Sequence, residues 1–189
     1  SSNNTISSNT VSYSQYFGIS LSYSDKNKIL ENTENYNSNY GIHLTYSDNN
    51  LIGENILNTG MSLDGANNNI SSNLMEGCGL GIFPSNTEYF YSQNIETSNL
   101  VNGKPLYYYV DEVNLASTNF TDAGQIILVS CENSLIYNLN LSYSETGISL
   151  INSDNITIKG NSVNHNRRNG LYLFGGGHNN VSKNNFSYN

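Results

Sequence analysis

Apolar residues in this chain come in runs of three to five that alternate with polar ones, as in Ile148-Ser149-Leu150 and Ile156-Thr157-Ile158. Alternation with a period of two is the signature of a strand with one face buried. The runs are too short to stand alone as hairpins, and they recur at a fixed distance. A Gly followed by alternating apolar residues appears at Gly18, Gly41, Gly60, Gly81, Gly124, Gly147 and Gly170, in steps of 23, 19, 21, 43, 23 and 23. An Asn just before an apolar residue recurs at Asn4, Asn27, Asn50, Asn69, Asn133, Asn155 and Asn180. A later Asn recurs at Asn9, Asn32, Asn55, Asn138, Asn161 and Asn184. Three markers with one common period indicate a repeat, and a period of this size indicates a solenoid.

Three short strands and three turns fill about 23 residues, one coil of a parallel β-helix whose coils stack about 4.8 Å apart. Asn at the turns tolerates left-handed backbone geometry, and its amide can donate and accept along the axis as a ladder. Gly before each long strand supplies a positive φ or a close approach. A leucine-rich repeat has a similar period, but it needs one Asn per repeat and a Leu-dense consensus, neither of which fits. The fold expected is all-β, a right-handed parallel β-helix of seven or eight coils forming one domain over residues 1–189. Regular coils are expected at 1–58 and 124–189 and shortened coils from 59 to about 83. An irregular insertion or compressed extra coil is expected at 84–123. Within it, Asn102-Gly103 is a turn and Leu106 to Val110 reads as a strand continuing the sheet, with a loop near 111–122. No polar cap is visible at either end, so the chain is expected to be a segment of a longer solenoid.

Composition agrees with a folded, stacked chain. Only 12% of residues are charged, yet mean hydropathy is −0.45, so the polarity comes from Asn, Ser, Thr and Tyr. Like charges stacked one coil apart would repel, which fits the scarcity of charge. The net charge of −8 argues against a nucleic-acid partner, and no apolar run is long enough to span a membrane. Cys78 and Cys131 fall at different phases of the coil, so a disulfide between them is not expected.

With those residues in view, Asn-Ile-Thr-Ile-Lys-Gly-Asn-Ser-Val (155–163), Gly-Leu-Tyr-Leu (170–173) and Asn-Asn-Val-Ser-Lys-Asn-Asn-Phe (179–186) resemble the repeats of a known group. These are the right-handed β-helix repeats of the carbohydrate-binding and sugar-hydrolysis group, which includes NosD-type periplasmic and archaeal surface proteins. The resemblance covers the whole chain. It implies the fold and an extracellular, cell-surface or periplasmic location. It does not choose an activity, because such scaffolds host lyases, hydrolases, adhesins and accessory proteins.

The candidate chemistry is sparse. Sugar hydrolysis would need two carboxylates converging on one face. Asp64 follows Leu63 on the outward face near His43 and Thr45, but it is one acid where a pair is required. Asp25 and Asp48, one period apart, read as stacked turn residues, with half of a calcium site as the alternative. Arg167 and Arg168 read as a solvated pair, with no acid in phase to complete a lyase-like site. The resemblance to NosD-type proteins raises copper, but the three His, two Met and two Cys show no ligand spacing. No catalytic residue, metal site or cofactor is therefore expected. The seven Asn-x-Ser/Thr sequons are as many as composition alone supplies.

Sugar binding remains. The fifteen tyrosines stack on one another one period apart (Tyr13 with Tyr36, Tyr23 with Tyr46), or they form a carbohydrate platform. The ligand-binding candidates are His43, Asp64, Phe83, Tyr107, Tyr109, Tyr172 and Phe174. The function expected is a secreted or cell-surface β-helix segment with a structural or adhesive role and a polysaccharide or glycan as partner. The alternatives are a polysaccharide lyase or glycoside hydrolase of pectin-lyase-like fold, and a NosD-like accessory protein for copper-site maturation.

Overall fold

The structure is a computed structural model and describes residues 1–189. It is an all-β parallel solenoid of about eight turns of about 23 residues, with 4% helix. Two compact units divide it, Ser1–Gly103 and Lys104–Asn189.

In the first unit, three parallel sheets run along the coils. One contains Thr5–Ser7, Lys28–Leu30, Leu51–Gly53, Asn69–Ser71 and Asn94–Ile95. A second contains Thr10–Ser12, Thr33–Asn35, Ile56–Leu57, Leu74–Met75 and Leu100–Val101. The third, built on the Gly-marked strands, contains Phe17–Ser22, Tyr40–Thr45, Met61–Leu63 and Leu80–Ile82. Register places like on like: Ile6, Ile29, Ile52, Ile70 and Ile95 form one column. In the second unit, Lys104–Val110, Gln125–Val129, Thr146–Ile151 and Asn169–Phe174 pair in parallel. So do Leu135–Tyr137, Thr157–Lys159 and Asn180–Ser182.

The corners explain the Asn content. At many corners of the first unit a residue in the left-handed region precedes a buried Asn or Ser. Lys26 (φ 58) precedes Asn27, Glu31 (φ 57) precedes Asn32, Tyr36 (φ 54) precedes Asn37, and Tyr46 (φ 47) precedes Ser47. The Asn Oδ1 accepts both the backbone N–H and the Nδ2 of its counterpart one coil earlier. Asn32 N and Nδ2 both donate to Asn55 Oδ1 (2.9 and 3.0 Å), and Asn55 N and Nδ2 both donate to Asn73 Oδ1 (3.1 and 2.9 Å). Asn55 Nδ2 also donates to the carbonyls of Ile29 and Gly53. The ladders are Asn4–Asn27–Asn50–Asn68 and Asn9–Asn32–Asn55–Asn73–Asn99. The first ladder takes Asn68, not the Asn69 expected from the sequence, because the step from Asn50 is 18 residues. The following steps lengthen to 25 and 26, and the first of them contains the 3-10 turn Thr87–Phe90.

Residues 84–123 contain coil strands as well as turns. Asn94–Ile95 and Leu100–Val101 each extend a sheet of the first unit, and Lys104–Val110 pairs in parallel with Gln125–Val129. The 111–122 stretch holds the parallel bridge Val113 to Glu132 and a 3-10 turn at Ser117–Phe120.

The marker glycines act by close approach. A Cβ on Gly41 would overlap the carboxyl of Glu34, and one on Gly147 would overlap the core residue Val163. Both directions point inward, as do the following Ile42 and Ile148. Strand pairing skips these glycines: Phe17 pairs with Tyr40 and Ile19 with Ile42, with no Gly18–Gly41 pair between them. The skip is symmetric, one residue on each strand, so neither strand carries an extra residue; beside it Phe17 is half-buried and Tyr40 is buried at 5% exposure.

Glu34 breaks the interior pattern. It is fully buried in a column otherwise made of Val11, Leu57, Met75 and Val101. Its Oε1 accepts from Asn37 Nδ2 and Thr59 Oγ1, and its Oε2 has no hydrogen-bond partner. A buried acid without a cationic partner costs more than a well-packed apolar side chain of similar size. Glu34→Leu is therefore expected to raise unfolding stability by about 1–3 kcal/mol, measured by urea denaturation. A less stable variant would show that the Asn37 and Thr59 bonds outweigh the cost of burial.

Candidate functional site

A line of rings runs along the Gly-marked sheet of the first unit, with Phe83 exposed and Tyr40 buried. Phe17 lies before Gly18 and Tyr40 before Gly41, while His43 follows Ile42 by one residue and so points out. Phe17 stacks on His43 (centroids 4.0 Å apart, planes 15° apart), and Tyr40 lies 6.2 Å from His43 at 12°. Tyr40 meets Phe83 at 6.4 Å. Phe83 N donates to Leu63 O (2.9 Å), which sets it beside Asp64. Asp64 Oδ1 accepts from both the N–H and the Oγ of Ser85, each at 2.9 Å.

His43 is the polar centre of this line. Its Nε2 lies 2.8 Å from Thr45 Oγ1, and its buried Nδ1 has no partner. Burial lowers the His43 pKa from its ordinary 6.5, and the Asp64 carboxylate partly opposes that shift. The folded ring binds a proton less readily than the unfolded chain does. Its stabilising contribution is present above about pH 6.5 and is lost as pH falls through the lower folded value.

His43, Asp64 and Phe83 are thus brought together, and Phe17 and Tyr40, which the sequence reading left out, join them. The available signal is the aromatic residue immediately before Gly18 and Gly41.

The second unit treats its four candidates differently. Tyr107 pairs with Ile126 and Tyr109 with Leu128, both core residues, so these tyrosines face inward. Phe120 meets both rings edge-on at 6.0 and 5.9 Å. Their hydroxyls donate to the carbonyls of Thr121 (2.9 Å) and Asn119 (3.3 Å). Burial first, then Tyr107 and Glu112, push the Tyr109 phenol above its usual pKa. Their shared strand face is correct, but the face is the core side, so they pack against the interior rather than form a platform. Tyr172 and Phe174 do point out. They are 39% and 38% exposed and stack at 6.4 Å.

The remaining conspicuous residues are engaged in stacking. Asp48 N donates to Asp25 Oδ1 (2.8 Å) and Ala66 N to Asp48 Oδ1 (2.6 Å), so this acid pair caps backbone amides from coil to coil. Tyr13 stacks on Tyr36, and Tyr23 on Tyr46. Tyr143, His165 and Tyr188 form a three-ring stack at 5.0 and 4.9 Å, with planes within 8°. Arg167 and Arg168 do have an acid in phase. Both reach the fully buried carboxylate of Glu145, one coil earlier, at 3.5 and 3.4 Å. Cys78 and Cys131 are buried and form no disulfide, and burial pushes the Cys131 thiol up.

With this geometry established, two family profiles match the chain. One, described as a right handed beta helix region, covers residues 57–189. The other, described as periplasmic copper-binding protein (NosD), covers residues 1–65. The chain belongs to the right-handed β-helix family. Among solved structures, HetL is similar at 14% identity over 95% of this chain and 87% of its own. It is a pentapeptide repeat protein involved in heterocyst differentiation regulation, from the cyanobacterium Nostoc sp. strain PCC 7120. The TM-score of 0.21 is too low to indicate a shared fold. None of the curated proteins matches the chain.

Copper does not fit the side chains present. Within 1–65 the soft or imidazole donors are His43 and Met61. Met61 is fully buried in the interior, in register with Ile42, while His43 points out of the same sheet. No group of three His, Cys, Asp or Glu residues in the chain could hold a metal.

Replacing Asp64 tests the polar centre. Asp64→Asn removes the charge that opposes desolvation, so the His43 pKa is expected to fall further, followed by NMR titration of the imidazole. An unchanged or raised value would mean that Asp64 does not act on the ring.

Proposed function

We propose that the chain is a non-enzymatic, structural or adhesive β-helix outside the cytoplasm, at the cell surface, secreted or in the periplasm, and that it binds carbohydrate. The observation that carries this reading is the exposed ring of Phe83 with Asp64 beside it, backed by the buried Tyr40 and the Phe17–His43 stack. Apolar ring faces stack on the C–H faces of sugars, and flanking polar atoms fix their hydroxyls. A solenoid face repeats along its axis and so suits a polymer. Tyr172 and Phe174 offer a smaller stacked pair of the same kind in the second unit.

Hydrolysis is disfavoured because it requires paired carboxylates, and Asp64 is the one carboxylate acting on His43. The periplasmic match over residues 1–65 supports a location beyond the cytoplasm, and no helix is long and apolar enough to cross a membrane. Maturation of a copper site has that same match in its favour, but the placement of Met61 and His43 speaks against it.

Retention on a glycan array is the direct test. Phe83→Ala is expected to weaken binding to the retained glycan by about 2–10-fold, the range of one aromatic contact, without shortening the polymer. Tyr107→Ala is expected to lower thermal stability instead and to leave retention by the folded fraction unchanged. Equal retention by wild type and Phe83→Ala would remove the ring line as the binding surface, and cleavage of the polymer would restore the enzyme reading.

A further inference from the structure

Charge is divided unevenly along the chain. Residues 1–103 hold nine of the fifteen carboxylates and two of the seven Lys and Arg side chains, a net charge of −7. The remaining 86 residues hold six acids and five bases, a net charge of −1. The ring line therefore sits on the strongly acidic unit, and its own fixed charge is Asp64. Both Ser85 bonds fall on Asp64 Oδ1, which leaves Oδ2 for a ligand. His43, its titratable neighbour on the adjoining strand, is held toward its neutral form by burial and does not cancel that charge at neutral pH. The neighbouring outward groups on the first strand, Phe17, Ser20 and Ser22, carry no charge.

We propose that this surface selects amino sugars, taking a protonated hexosamine whose ring lies on Phe83 while its ammonium group pairs with Asp64, and that it rejects uronic-acid polymers. The inference rests on the carbohydrate reading above and narrows it to one chemical class. A carboxylate fixed beside a ring face repels a uronate, whose charge lies on the sugar itself, and attracts an ammonium group on the same scaffold. The surrounding charge of the unit acts in the same direction and is screened by salt.

The test uses the full chain and three soluble oligosaccharides of matched length: glucosamine oligomers, neutral β-glucan oligomers and galacturonic acid oligomers. Affinities are measured by calorimetry at low and high salt. Glucosamine oligomers are expected to bind about 3–10-fold tighter than neutral ones at low salt, an advantage that shrinks in high salt. Galacturonate oligomers are expected to bind more weakly than either. Asp64→Asn should abolish the preference for amines, so that glucosamine and neutral oligomers bind the variant equally. Glu76→Gln, an equal charge change at an exposed position in the same unit, should leave the preference in place. If Glu76→Gln weakens amine binding as much as Asp64→Asn, the attraction is diffuse and the proposal fails. Equal affinity for all three oligomers, or tighter binding of galacturonate, overturns the proposal and leaves the carbohydrate reading standing. Binding of none of the three overturns both.

Discussion

The structure depends on how the chain turns its corners. The buried corner residues Asn27, Asn32, Asn50, Asn55, Asn68 and Asn73 each follow a residue in the left-handed region, a conformation that costs a non-glycine residue on the order of 1 kcal/mol. Repeated at the corners of coil after coil, that strain is tolerable only if something compensates each time. The compensation is the buried side-chain amide, whose Oδ1 takes the backbone N–H and Nδ2 of the coil before, and whose Nδ2 passes to the coil after. A turn buried without such partners would leave unpaired N–H groups, each costing about 1–3 kcal/mol. Corner strain, amide ladder and in-register columns are therefore one device. It also fixes the period, because a coil of the wrong length must still bring Asn over Asn. The 18-residue step from Asn50 to Asn68 and the 26-residue step from Asn73 to Asn99 satisfy that demand, the excess being taken up between the ladder positions.

The same device limits what the molecule can do chemically. Side chains that would attract notice elsewhere are committed to stacking: Asp25 and Asp48 to amide caps, the exposed tyrosines to corner stacks, and Glu145 to Arg167 and Arg168. The outer face of the Gly-marked sheet escapes this, because its strands need side chains only on their inner face. Ring, imidazole and carboxylate gather on that face, where ligand contact need not disturb the ladders.

Fold and site were not equally legible in the sequence. The fold could be read because a ladder requires the same residue at the same phase, and Asn27, Asn50, Asn32 and Asn55 announce themselves at one spacing. The shorter ladders Ser14–Asn37 in the first unit and Ser144–Asn166–Asn189 in the second are not legible, since a Ser takes one position in each and blurs the repeat. Asn69 was taken for Asn68 because three Asn stand in a row and the short coil shifts the phase. The inward direction of Tyr107 and Tyr109 was not readable. Alternation separates two faces, but it does not say which is the core when both carry Tyr, and the covering Phe120 lies in a 3-10 turn with no marker of its own. Phe17 and Tyr40 were hidden because alternation breaks at the glycine that follows each: Gly41 and Ile42 both face the interior.

Amide hydrogen exchange tests the ladder most directly. Corner amides normally exchange as quickly as surface turns, whereas here Asn27, Asn32, Asn50 and Asn55 N–H groups donate to buried Oδ1 atoms at 2.8 to 3.1 Å. Their protection is expected to match that of the strand amides of Ile29 and Ile52 and to be lost only in global unfolding. Exchange of these four amides at surface-turn rates, with the strands still protected, would contradict the claim that the Asn ladders hold the coils together.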